Sequence, residues 1–124
     1  MDDYESRIQR DPELYADAFE PEPIQTHESA LKAVKSWGRQ LFFVRKDLRT
    51  YEICLEAVSN YGIAVAFVPP EYQTNEICLY AVKNTGYALY YIPIEKRTLE
   101  ICKIAVENTT LAIRDVPEHL KLLL

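Results

Sequence analysis

A threonine returns every 24 residues, at Thr26, Thr50, Thr74 and Thr98, and most of what lies between returns with it. Residues 50–73 read TYEICLEAVSNYGIAVAFVPPEYQ and residues 74–97 read TNEICLYAVKNTGYALYYIPIEKR. Weaker copies run over 26–49 and 98–121, with no insertion or deletion between them. A fixed period of this length marks a stacked array, because one short unit cannot bury an apolar face alone and must lean on the next. The expected fold is all-α: a short α-solenoid of about four stacked helix-turn-helix repeats, 26–49, 50–73, 74–97 and 98–121, with residues 1–25 as a degenerate acidic N-terminal cap. Cap and array together are read as one domain.

Each threonine precedes an apolar run and is expected to be the N-cap of a helix, its hydroxyl accepting from an early helical N–H. Glu28, Glu52, Glu76 and Glu100 lie in the first turn, where the helix start favours negative charge. That spacing is one short of a capping box. Ile53, Cys54, Ala57 and Val58 recur as Ile77, Cys78, Ala81 and Val82 and as Ile101, Cys102, Ala105 and Val106, painting one stripe along a helix. Gly62 and Gly86 follow, and a glycine there is expected to take the left-handed conformation that ends a helix near Asn60 and Asn84. A second, shorter helix of about two turns comes next. It is closed by Pro69, Pro93 and Pro117, with Arg45 in the proline's place in the first unit. At a helix spacing of about 8–10 Å the array would be about 30–40 Å long.

The chain is 48% apolar and 27% charged, an ordinary balance for a soluble globular domain. It has no run of ~20 apolar residues to span a bilayer and an acidic amino terminus, so no membrane association and a cytoplasmic location are expected. Eight acidic against two basic residues leave residues 1–25 at −6, and the rest of the chain at about +1. Asp11 to Phe19 reads as a worn half-unit, with Asp11 as N-cap and Pro12 in the first helical position. The first full unit carries +4, including Arg39, Arg45, Lys46 and Arg49. The acidic cap's carboxylates are expected to face it; the alternative is an anion or nucleic-acid contact beside Trp37 and Phe42. An overall pI near 5.0 argues against nucleic acid. The last unit replaces the glycine by Thr110 and carries Lys103, Arg114 and Asp115, swaps suited to an end that meets water. Residues 120–124, LKLLL, are expected to fold back over the last core layer.

No residue pattern points to catalysis, a cofactor or a metal. Cys54, Cys78 and Cys102 occupy one place in successive units, and helices about 8–10 Å apart hold them beyond the ~4.4–6.8 Å Cα separation of a disulfide. They are read as buried structural thiols. His27 and His119 lie near opposite ends of the array. The first-turn carboxylates are helix-start residues rather than a paired-acid site, and three glycines make no phosphate loop.

Variation between units is more informative. The sixth place after the threonine reads Lys32, Glu56, Tyr80, Ile104; the thirteenth Arg39, Ile63, Tyr87, Leu111; the sixteenth Phe42, Ala66, Tyr90, Arg114. Fixed places build the stack, and variable places decorate it. Tyr61, Tyr80, Tyr87, Tyr90, Trp37 and Phe42 are the candidate partner-binding residues, since exposed aromatic residues anchor protein interfaces. Phe43, Phe67 and Tyr91 are expected to fill grooves between units. The function that follows is a non-catalytic protein-interaction module of the inhibitor, immunity or adaptor kind, binding an unidentified protein. Its alternatives are anion or nucleic-acid binding by the basic first unit and a structural homodimer joined through exposed ends and the Leu122 to Leu124 tail.

Written as T-x-E-I-C-L-x-A-V-x-N-x-G-x-A-L-x-x-V-P, the unit resembles a family of short helical tandem repeats of unknown function found mostly in bacterial proteins. The match is strong over 50–97, recognisable over 98–121 and weak over 26–49. The resemblance implies the helical array and brings no activity, cofactor or catalytic residue with it.

Overall fold

The computed structural model describes residues 26–124; the expected cap over 1–25 lies outside them. Four ten-residue α-helices, α1 (His27–Ser36), α2 (Tyr51–Asn60), α3 (Asn75–Asn84) and α4 (Leu99–Asn108), each lead one unit. Each is followed by a six-residue 3-10 helix: η1 (Gly38–Phe43), η3 (Gly62–Phe67), η5 (Gly86–Tyr91) and η7 (Thr110–Asp115). Three-residue 3-10 turns, η2 (Lys46–Leu48), η4 (Pro70–Tyr72) and η6 (Ile94–Lys96), connect the units, and α5 (Glu118–Lys121) takes that place after the last. The α-helices stack side by side in one layer and the 3-10 helices in another, and α2 to α4 each pack against the 3-10 helix of their own unit and of the preceding one. No strand occurs among the described residues.

The threonines start the helices as expected. Thr50, Thr74 and Thr98 each accept from the N–H three residues on, at 3.3 Å. Thr26 forms a full capping box with Ser29, made possible because serine stands where the other units carry isoleucine. The stripe is interior: Ile53, Cys54, Ala57 and Val58 and their counterparts in α3 are buried, as are Ile101, Cys102 and Ala105 in α4. From the second layer come Leu41, Val65 and Leu89, with Ala64, Ala88 and Ala112, and Val44, Val68, Ile92 and Val116 close the core below. No polar or charged residue is buried among the described residues, so the side chains of the interior pack by apolar contact.

The helix ends differ from expectation. No glycine has a positive φ. Each of α1 to α4 stops because one residue turns extended: Trp37, Tyr61, Thr85 and Thr109 have φ of −160°, −146°, −153° and −140°. The glycine after it is needed for room. A Cβ on Gly38 would run into the carbonyl oxygen of Ala57, one on Gly62 into that of Ala81 and one on Gly86 into that of Ala105. In every case the carbonyl belongs to the helix of the next unit, where it also accepts the N–H of the extended residue that ends that helix, at 2.8–3.0 Å. Glycine therefore sets how closely neighbouring units approach.

The second segment is 3-10 rather than α-helical. Its six residues close i→i+3 bonds such as Val44 N–H to Leu41 O (3.1 Å) and Ile92 N–H to Leu89 O (3.1 Å). Six residues span two turns of a three-residue helix and present places four apart to different sides. Its orphan carbonyls are collected by the residue just before Thr50, Thr74 and Thr98. Arg49 donates to Val44 O (2.9 Å), to Phe42 O (3.1 Å) and, across the junction, to Phe67 O (2.9 Å). Arg97 repeats the pattern on Ile92 O (2.8 Å), Tyr90 O (3.1 Å) and Asp115 O (2.7 Å). Gln73 reaches Val65 O and Val68 O, both within its own unit.

An overpacked site costs about 1–3 kcal/mol, occasionally more. Gly62→Ala is therefore expected to lower unfolding stability by at least that amount in urea denaturation. A neutral Gly62→Ala would show that the units are not in such close contact.

Candidate functional site

The six candidate partner-binding residues do not form one cluster. Tyr90, at 64% exposure, and Phe42, at 56%, stand at equivalent places on η5 and η1, in the 3-10 layer. Tyr87 lies on the same side of η5 as Tyr90, three residues being one 3-10 turn. Tyr80 projects from α3, in the other layer, with the Lys83 ammonium 5.8 Å from its ring centre. Trp37 is half exposed at the end of α1, with the Arg39 guanidinium 5.6 Å from its ring. Tyr61 is half-buried, packs on the core and sets its Cβ against Gly38. The reason is its place, since the extended residue that ends a helix faces the preceding unit's glycine.

Two residues expected to fill grooves are instead at the surface. Phe43 is 55% exposed and Tyr91 42%, whereas Phe67 is partly buried against the core. Phe42 meets Phe43 and Phe67 edge-on, both at 5.2 Å between ring centres, and Tyr90 meets Tyr91 edge-on at 5.1 Å. Edge-to-face contacts at such distances help hold the rings in place. Because η1, η3 and η5 are neighbours in one layer, these rings and Tyr87 make an aromatic strip in two groups, one over η1 and η3 and one on η5. It ends at η7, where Arg114 and Asp115 take the same places.

Two of the four candidate anion-binding residues, Arg49 and Arg45, are engaged within the chain. The three carbonyl bonds described above use Arg49, whose burial draws its pKa below the ordinary arginine value despite an opposing pull from Cys54. Arg49 thereby ties its unit to the next. Arg45 makes a two-pronged pair with Asp47, at 3.1 and 2.8 Å. Lys46 and Arg39 are exposed, the latter beside Trp37.

Sequence reasoning missed the polar contacts at the junctions. Asn84 accepts from Gly62 N–H at 2.7 Å and donates to Ser59 O at 3.4 Å; Asn108 accepts from Gly86 N–H at 2.8 Å and donates to Lys83 O at 3.1 Å. Asn60 donates to Val34 O at 2.7 Å. Tyr51 donates to Glu76 and lies 3.0 Å from the Thr74 hydroxyl, and His27 stands 3.4 Å from Glu52. First-turn glutamates thus also bridge units. The available signals were the asparagine recurring at 60, 84 and 108 and the long polar residue before each threonine.

A family model for a domain of unknown function, DUF4116, matches residues 28–73, 50–96 and 74–121. The chain belongs to the DUF4116 family. No curated protein and no solved structure matches it. Each DUF4116 window spans two adjacent units and so contains one junction, the glycine beneath the next helix included. Among the described residues no three His, Cys, Asp or Glu side chains are grouped to hold a metal ion, and no helix is long and apolar enough to cross a membrane.

The three thiols of this DUF4116 chain are free and buried. Cys54 and Cys102 donate to the carbonyls of Arg49 and Arg97, at 3.8 and 3.7 Å. Burial raises all three thiol pKa values, and Cys54 is pushed from 9.0 up to about 12. Above pH 9 the unfolded chain loses that proton while the folded chain keeps it, so the folded state binds more protons and stability falls as pH rises toward 12. Cys54→Ala is expected to flatten that fall. Urea midpoints of both proteins between pH 8 and pH ~11 check it, and parallel curves would contradict it.

Proposed function

We propose that this DUF4116 chain is a non-catalytic protein-binding scaffold that works inside the cell, in the manner of an inhibitor, immunity protein or adaptor, and engages its partner through the aromatic strip. The observation that carries this reading is that Phe42, Phe43, Tyr87, Tyr90 and Tyr91 are exposed together on the 3-10 layer while the core is complete without them. Large rings left outside a closed apolar core supply contact area with few rotatable bonds, the property that makes aromatic residues interface anchors. The layer beneath them is stiffened by the arginine ties, so a partner would meet a surface that is already ordered. Tyr80 lies in the other layer and belongs to the strip's surroundings at most.

Because the strip residues lie outside the core, Phe42→Ala with Tyr90→Ala is expected to change stability by no more than about 1 kcal/mol. The same double variant is expected to weaken a purified partner's affinity at least tenfold. The partner is obtained by retention from a native lysate on the immobilised wild-type chain, with Lys103→Ala as the control, and the affinity is then measured with both purified proteins. Identical retention and equal affinity for wild type and double variant would remove the strip from the binding surface. A large fall in melting temperature would show these rings to be structural.

A further inference from the structure

The three glycines of the chain occupy one place in the unit, and each lies beneath the unit that follows: Gly38 under α2, Gly62 under α3 and Gly86 under α4. In the fourth unit that place is Thr110. The backbone there is unchanged. Thr109 is extended before it, and η7 closes with Val116 N–H on Ile113 O just as η1, η3 and η5 close on Leu41, Val65 and Leu89. Thr110 therefore carries a Cβ where the three earlier units have none, aimed at the position that a following helix's carbonyl would occupy. Two apolar residues of the covered edges recur in this unit, although Lys103, Arg114 and Asp115 replace others. Val106 and Ile113 correspond to the fully buried Val58 and Val82 and to Val65 and Leu89, and both are only half-buried.

We infer that Thr110 closes the forward edge of the array: its side chain blocks a fifth unit, of this chain or of a second copy, from stacking in the register of the three internal junctions. The inference is separate from the aromatic strip and stands or falls without it. An apolar edge that matched the opposite end of another molecule would make a head-to-tail contact, and such contacts propagate into open filaments. A single β-branched residue beneath the place of the next carbonyl prevents that close approach while leaving the fourth unit's own packing intact, because Ala112 and Val116 remain buried behind it.

The test uses the full chain with a copy of residues 74–97 inserted between Lys121 and Leu122, in the natural background and in a Thr110→Gly background. Amide hydrogen exchange is read in the inserted α-helix. Exchange is expected to be at least tenfold slower in the Thr110→Gly protein, where the added unit can dock, than behind threonine. Equal exchange in the two proteins, whether both protected or both open, overturns the inference. The converse variant, Gly86→Thr in the natural chain, is expected to speed exchange in α4 at least tenfold relative to α2. Unchanged protection of α4 would likewise overturn it. Should Gly86→Thr unfold the chain as a whole, the insertion pair decides.

Discussion

Everything in this array depends on how closely one unit can lie against the next, and that distance is set where a glycine sits beneath a carbonyl. The carbonyls of Ala57, Ala81 and Ala105 already accept the last helical N–H of their own helices, and each projects onto the preceding unit at a point where a methyl group would not fit. Once that contact is made, the glycine N–H at 62 and 86 reaches the asparagine of the next helix. The isoleucine, cysteine, alanine and valine of the stripe then close over one another. Small residues at the point of contact and larger ones around it let ten-residue helices, too short to persist alone, hold each other in place.

The same geometry explains why the surface is free to vary. With a wholly apolar interior and no buried charge among the described residues, nothing at the exposed places of η1, η3 and η5 is needed for the stack. Backbone groups that a 3-10 layer would leave open are taken up by the side chains of Arg49, Gln73 and Arg97. The exposed places are left to Phe42, Tyr87 and Tyr90. Rigidity and variability thus come from different residues of one unit, the combination a recognition surface needs. The committed guanidinium of Arg49 and the paired one of Arg45 leave the basic first unit with less free charge than its composition promised.

The period, the threonine caps and the inward stripe were legible in the sequence, because each is a local rule repeated at 24-residue spacing. The role of Gly62 and Gly86 was not. A glycine after a helix has two physical uses, a positive φ or a close approach, and one sequence does not separate them; only the neighbour's carbonyl does. The distinction between α and 3-10 geometry was lost for a similar reason, since a six-residue apolar segment satisfies both periods. Phe43 and Tyr91 were placed inside because they are large and apolar, yet the grooves were already filled by Leu41 and Leu89. Tyr61 was placed outside because it varies between units, although its partner across the junction is a fixed glycine. The aromatic strip was half visible: its members were named, but their gathering on one layer required knowing which way a 3-10 turn points them.

The central claim is that the glycines are interior contacts between units and not exposed helix terminators. Amide exchange at Gly62 and Gly86 in the intact chain tests this most directly. Buried N–H groups bonded to Asn84 and Asn108 should exchange as slowly as the middle of α3, opening only when the whole array opens. Exchange at the rate of a solvent-exposed turn would contradict the account, for it would mean that neighbouring units do not meet there.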